Sequence, residues 1–127
     1  MKMKYLLPLI IAFSIFINPL NTLAEELILA GGCFWCLEHD LESLQGINSV
    51  QSGYSGGDLQ NPTYENHVGH QEVVLVDYDP QLITLPEIFR LYFRNIDPLD
   101  GEGQFCDRGD SYRPVIFFKD EIEESEA

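Results

Sequence analysis

Two helix-like patterns, each set between strand-like runs, constrain this chain more than any other feature. Residues 25–30 read as a short buried strand that Gly31-Gly32 interrupts. A helix is predicted from about Phe34 to Leu44, because Phe34, Leu37, Leu41 and Leu44 fall on one helical face. Gly46 is placed as its C-terminal cap. A second strand is predicted from Ile47 to Tyr54, closed by Gly56-Gly57. The run Gln71–Tyr78 is the clearest strand in the sequence. Thr84, Pro86 and Glu87 form a capping box with a proline in the first turn, opening a helix to about Asn95. Its inner side is expected to carry Ile88, Phe89, Tyr92, Phe93 and Ile96. A last strand is predicted over 113–119, before an acidic tail that is either helical or frayed. The order β-α-β-β-α-β predicts an α+β, ferredoxin-like two-layer sandwich, with both helices on one face of a mostly antiparallel sheet.

The chain has 127 residues, enough for one domain. Lys2 and Lys4 precede an apolar run from Leu6 to Ile17, and small residues lead up to Ala24. That pattern predicts a signal peptide over 1–24, hence an exported, periplasmic or extracellular protein, or a membrane-anchored one if uncleaved. After cleavage no stable membrane span is expected. Losing Lys2 and Lys4 takes the formal net charge from −14 to −16. So acidic a surface excludes nucleic acid as a partner and favours a soluble monomer.

Three cysteines are too few for a disulfide scaffold, and the odd count leaves one thiol unpaired. Cys33-Phe34-Trp35-Cys36 sits where the Gly-Gly break feeds a helix. Amide dipoles at a helix N-terminus favour a thiolate, so Cys33 reads as a nucleophile. The i+3 spacing returns Cys36 to the same face, where it can resolve an oxidised intermediate. Phe34 and Trp35 cannot both point into the core, so one of them is available to line a pocket beside Cys33.

Alternation places Glu72 on the side of Val74, Val76 and Tyr78, where a carboxyl would hold its proton near neutral pH. From the pattern alone a solvent-facing strand end is the stronger reading. Tyr64 and Tyr112 lie in the two polar loops, 58–69 and 97–111 with its flank, as hydroxyl donors or packing lids. Cys106, beside Asp107 and Arg108, is a second resolving candidate or a bystander. Cys33 and Cys36 with His67 and His70 make a nominal Cys₂His₂ set, but the spacing does not fit zinc modules, and no metal is expected.

These residues resemble the A-type peptide methionine sulfoxide reductases, in a Cys-x-x-Cys subgroup. The resemblance runs through Gly31-Gly32-Cys33-Phe34-Trp35, Gly53-Tyr54-Ser55-Gly56-Gly57, Asn61-Pro62-Thr63-Tyr64 and Gly69-His70-Gln71-Glu72-Val73. It continues through Tyr78-Asp79-Pro80, Asp97-Pro98 and 107–113, covering nearly all of 25–127 in family order. It implies reduction of methionine-S-sulfoxide, free or in proteins, with no cofactor beyond a thioredoxin-like protein or dithiol as reductant. It also implies that Cys33 is the nucleophile, that Phe34 and Trp35 hold the sulfoxide methyl, and that Glu72 donates the proton. Tyr64 and Tyr112 would bind the oxygen, and Asp107 would support the pocket. Cys36 stands where the family often has glycine, and the chain is expected to be C-terminally short relative to the family. An exported thiol–disulfide oxidoreductase using Cys33 and Cys36 is the alternative, and a metal module using Cys33, Cys36 and His70 a third reading.

Overall fold

The computed structural model describes residues 23–127. The segment expected to be a signal peptide therefore lies, but for Leu23 and Ala24, outside the described residues. The elements follow in the order β1 (Glu25–Ala30), α1 (Phe34–Glu42), β2 (Ile47–Ser55), β3 (Gln71–Tyr78) and α2 (Leu85–Asn95). Then come two short strands, β4 (Gly103–Gln104) and β5 (Asp107–Arg108), a 3₁₀ turn at Asp110–Tyr112, β6 (Val115–Phe117) and α3 (Glu121–Glu126).

The main sheet has the order β2-β3-β1-β6, and each of its ladders is antiparallel. This is the α+β sandwich that the β-α-β-β-α-β order implies. Strand alternation decides which side chains meet the helices. Leu27 and Leu29 of β1, Val50 of β2, and Val74, Val76 and Tyr78 of β3 share one face. Against them pack Phe34, Leu37 and Leu41 from α1 and Ile88, Phe89 and Tyr92 from α2.

Helix α2 starts as its sequence dictates. The Thr84 backbone N–H and hydroxyl both donate to the Glu87 carboxylate, at 2.9 and 2.8 Å. Those bonds hold the Glu87 carboxyl below its ordinary pKa. Phe93 departs from expectation: it is 39% exposed, turned edge-on to Tyr92 rather than into the core. Helix α1 ends at Glu42, earlier than predicted, and the backbone turns through Leu44. Gly46 lies beyond the cap with φ +98°, and a side chain there would also strike Ile83, so glycine suits the position on both counts.

The last strand is shorter than 113–119. Pro114 has no N–H to pair, and the Lys119 N–H is taken by the Glu123 carboxylate at 2.8 Å. The acidic tail is helical. The Asp120 side chain accepts from the Ile122 and Glu123 N–H groups and caps α3. The loop predicted over 97–111 contains the β4–β5 hairpin, whose two-residue strands are too short to show a period in sequence. Among the described residues no helix is long and apolar enough to cross a membrane.

Two contacts carry this core to the site. The Tyr92 hydroxyl, buried between the layers, donates to the Ala30 carbonyl at 2.7 Å, just before Gly31-Gly32. A Cβ on Gly31 would meet Ile96 at 2.7 Å, so glycine lets α2 approach the β1–α1 turn. Tyr92→Phe is expected to cost about 1 kcal/mol, the net worth of a buried hydrogen bond. Leu41→Ala, which empties a fully buried position, should cost roughly 2–5 kcal/mol. Urea unfolding curves measure both, and equal losses would contradict the packing described.

Candidate active site

Gly32 has φ +83°, and its N–H donates to the Tyr112 carbonyl at 3.2 Å. This left-handed residue bends the chain from β1 into α1, and a Cβ on it would lie 2.9 Å from the Gln104 side chain. Gln104 is itself buried. Its Oε1 accepts from the Asp97 N–H at 2.6 Å, and its Nε2 donates to the Asp97 and Gly103 carbonyls, each at 2.7 Å. One amide side chain thus fastens the 97–104 loop beneath the Gly-Gly turn.

Cys33 is the N-cap of α1, half-buried, and its carbonyl accepts from the Cys36 and Leu37 N–H groups. The next N–H, that of Phe34, donates to Glu72 Oε2 at 3.2 Å. Glu72 is 2% exposed. Burial pushes its carboxyl above the ordinary value, against the opposing pull of the Phe34 N–H and of His67. The nearby Asp107 carboxyl pushes it further up. The solvent-facing alternative for Glu72 is thereby excluded: its strand face is the helix-facing one.

Aromatic rings surround this acid. Phe34 is buried and lies 5.6 Å from Tyr54 and 6.4 Å from Tyr64, between ring centroids. Trp35 is 57% exposed and stacks on Tyr64 at 5.3 Å. The two adjacent aromatics therefore divide as expected, Phe34 toward the core and Trp35 onto an open wall. Tyr112 sits on the 3₁₀ turn. Burial first, then the negative field of Glu72, raises its phenol above the ordinary value, with Tyr64, Asp107 and Cys33 adding to it.

Sequence reasoning quoted Tyr54 within a motif and gave it no role. The β2–β3 register sets it directly opposite Glu72. Burial and the Glu72 charge raise its phenol as well. The signal was present in the alternation Val50, Ser52, Tyr54, but the register of β2 on β3 was not. Gln104 was also missed, since a lone glutamine in a polar loop has no pattern.

The Cys36 thiol is exposed and adjoins Cys33. A hydrogen bond with Cys33 raises it above its ordinary value, followed by burial and by the charges of Cys33, Asp107 and Asp40. The two thiols open into a cleft of about 80 Å³ walled by Asp40, Asn95, Gln104, Phe105 and Asp107. Cys106, at the tip of the β4–β5 hairpin, is exposed and does not line this cleft. The structure thus brings Cys33, Phe34, Trp35, Cys36, Tyr64, Glu72, Asp107 and Tyr112 together and leaves Cys106 outside.

His70 is committed elsewhere. Its Nδ1 accepts from the Gly57 N–H at 3.3 Å, and its Nε2 donates to the Leu59 carbonyl at 3.1 Å. Both ring nitrogens tie the 57–70 loop, which removes His70 from the metal set considered with Cys33 and Cys36. Among the described residues no group of three or more His, Cys, Asp or Glu side chains is placed to hold a metal ion.

The Cys33 thiol thus stands at a helix start whose next backbone N–H is bound to a buried acid, with Phe34, Trp35 and Tyr64 grouped beside it. The family model for peptide methionine sulfoxide reductase matches residues 25–127, and the chain belongs to that family. It is 50% identical over 107 residues to peptide methionine sulfoxide reductase MsrA 2 of Staphylococcus aureus, covering 81% of this chain and 60% of that protein. It is 52% identical over 101 residues to MsrA of Ligilactobacillus salivarius, covering 76% and 59%. The solved methionine sulfoxide reductase A of Corynebacterium diphtheriae superposes with a TM-score of 0.74 at 30% identity, covering 81% of this chain and 50% of that one. The chain spans about 60% of the length of the curated relatives it matches.

The buried acid has a thermodynamic signature. Its folded pKa is raised, so its contribution to stability is full below the ordinary carboxyl value. That contribution is lost as pH rises through the raised value. Glu72→Gln keeps an acceptor for the Phe34 N–H and removes the ionisation. Its Tm relative to the unaltered chain should therefore be higher at pH 8 than at pH 4, by thermal melts. A difference independent of pH would show that Glu72 is solvated.

Proposed function

We propose that this chain reduces methionine-S-sulfoxide, free or in proteins, by thiol chemistry at Cys33. The observation that carries the proposal is the Glu72 carboxyl, buried and hydrogen-bonded to the backbone N–H that follows Cys33. A proton donor directly behind a nucleophilic sulfur suits a reaction that must break a sulfur–oxygen bond.

In this reading the sulfoxide lies against Phe34, Trp35 and Tyr64, with its methyl on the aromatic faces. The Tyr64 and Tyr112 hydroxyls donate to its oxygen, and Asp107 supports that wall. The Cys33 thiolate attacks the sulfoxide sulfur while Glu72 gives its proton to the oxygen. The oxygen passes to Cys33, giving a sulfenic acid and releasing methionine. The Cys36 thiol then attacks the Cys33 sulfur. A disulfide forms, water leaves, and the sulfoxide's two oxidising equivalents now reside in the disulfide. A thioredoxin-like protein or a dithiol returns both cysteines to thiols. Cys36 is favoured over Cys106 as the resolving thiol because it adjoins Cys33.

We also propose export, on the 1–24 pattern; amino-terminal sequencing of the protein from its native cells should begin at Glu25. A general disulfide exchange enzyme would use the same adjacent thiols, but it leaves Glu72, Tyr64 and Tyr112 without a task.

With dithiothreitol as reductant, the chain should turn over N-acetyl-methionine-S-sulfoxide and not the R epimer. Cys33→Ser should abolish turnover, and Glu72→Gln should lower it about 10²–10⁴-fold, the usual worth of a positioned general acid. Turnover retained in Cys33→Ser would overturn the proposal. Without reductant, one methionine per chain should appear together with a Cys33–Cys36 disulfide on peptide mapping. Cys36→Ser should instead leave a sulfenic acid that dimedone traps. A Cys33–Cys106 bridge in the unaltered chain would reassign the resolving thiol.

A further inference from the structure

The cleft on which both thiols open is lined by none of Phe34, Trp35, Tyr64, Glu72 and Tyr112. The sulfoxide pocket proposed above therefore leaves it free, sharing with it only Cys33 and Asp107. Three elements build its rim. Asp40 follows Cys36 by one turn on α1, Asn95 ends α2, and Phe105 occupies the turn of the β4–β5 hairpin. Phe105 is 69% exposed and has φ +50°, a backbone region that a bulky side chain rarely adopts. A ring so exposed on so unfavourable a backbone contributes little to the core. Cys36 is the exposed thiol of the pair and Cys33 the half-buried one.

We propose that this cleft is the docking face for the protein reductant: its attacking sulfur enters at Cys36, its apolar rim covers Phe105, and a cationic side chain beside its thiol meets Asp40. The inference rests on the Cys33–Cys36 disulfide of the cycle proposed above. The partner's thiolate attacks Cys36 Sγ, the Cys33–Cys36 bond breaks, and Cys33 leaves as a thiolate at the start of α1, where the helix amides favour it. The partner's second thiol then attacks its own sulfur in the mixed disulfide. Cys36 is released and takes up a proton, and the partner departs as a disulfide with two electrons fewer.

Charge selects the partner. After the hydrogen bond with Cys33, burial and the Cys33 charge, the Asp107 and Asp40 carboxylates also raise the Cys36 thiol, so both act at the sulfur to be attacked. An approaching thiolate is repelled by the same two carboxylates. A cation carried beside that thiolate offsets the repulsion, and a formal net charge of −14 steers it inward from a distance.

The test uses the full chain with Cys106→Ser, oxidised by diamide to the Cys33–Cys36 disulfide, and follows the return of its thiols. The probes are dithiothreitol and one reduced thioredoxin, prepared with either lysine or glutamate at a surface position beside its attacking cysteine. The lysine form should react about two- to fivefold faster than the glutamate form at low salt, the worth of one exposed ion pair. Asp40→Asn should abolish that difference and speed reduction by dithiothreitol. Phe105→Ser should slow both thioredoxin forms about tenfold, the order of an aromatic anchor at an interface, and leave the dithiothreitol rate unchanged. A thioredoxin whose second cysteine is serine should stall as a mixed disulfide that tandem mass spectrometry places on Cys36.

Equal rates for the lysine and glutamate forms overturn the inference, as does a thioredoxin rate that Phe105→Ser leaves unmoved, or a mixed disulfide on Cys33. Should Phe105→Ser not fold, the position of the mixed disulfide and the charge dependence in the otherwise unaltered chain decide. The disulfide is made without sulfoxide. A chain without reductase activity would therefore fail the proposed function while still showing where the reductant docks, whereas failure of diamide to join Cys33 to Cys36 would overturn the inference itself.

Discussion

The hydrogen bond from the Phe34 N–H to the Glu72 carboxyl joins the start of α1 to the centre of the sheet. A carboxylate at 2% exposure is costly unless it is paired. Here it receives one backbone N–H from a helix terminus and the more remote field of His67, which offsets only part of that cost. The residual imbalance is what keeps the acid inclined to hold its proton. A second strong donor would have made Glu72 a structural carboxylate; none would have left a buried orphan. The same bond sets the height of α1 against β3, and therefore the place of Cys33.

That placement is secured from behind by residues without chemistry of their own. Gly31 admits Ile96 and Tyr92, and Gly32 lies against Gln104. Gln104 uses its Oε1 and both Nε2 protons on the loop that follows α2. The Gly32 N–H holds the Tyr112 backbone. A turn of two glycines is flexible in an isolated peptide. Packed between α2, Gln104 and the 3₁₀ turn, it becomes a fixed platform for the nucleophile. Tyr112 and Cys33 are thereby set by one backbone contact, although 79 positions separate them in the chain.

Much of this was legible in the sequence, and the exceptions have physical causes. The four main strands and two long helices follow from periodicity, and Thr84–Glu87 announced α2 because a capping box is a local interaction. Cys33 was legible for the same reason: a Gly-Gly break and a helix start are neighbours along the chain. Glu72 was ambiguous on pattern alone, because alternation names a face without saying which face the helices cover. The resemblance to a family resolved what periodicity left open. Tyr54 was not legible as a site residue, because its place opposite Glu72 depends on strand register, which is non-local. Phe93 failed for a different reason. At 100° per residue Phe93 falls at the margin of the face formed by Ile88, Phe89 and Tyr92, and it stays partly exposed.

The two thiols are differentiated by their surroundings before any chemistry occurs. Cys36 is held protonated first by its hydrogen bond with Cys33 and then by burial, with Cys33, Asp107 and Asp40 adding negative field. Two of those causes belong to Cys33 itself. In the proposed cycle Cys33 becomes a neutral sulfenic acid, so its charge disappears, and the hydrogen bond to a thiolate disappears with it. Cys36 is then easier to deprotonate at the step that requires its thiolate, and harder at the step where a second thiolate would compete for the sulfoxide. Asp107 and Asp40 remain as a brake, which limits how far the thiol is released. The order of events in that cycle thus follows from which neighbour carries charge at each stage.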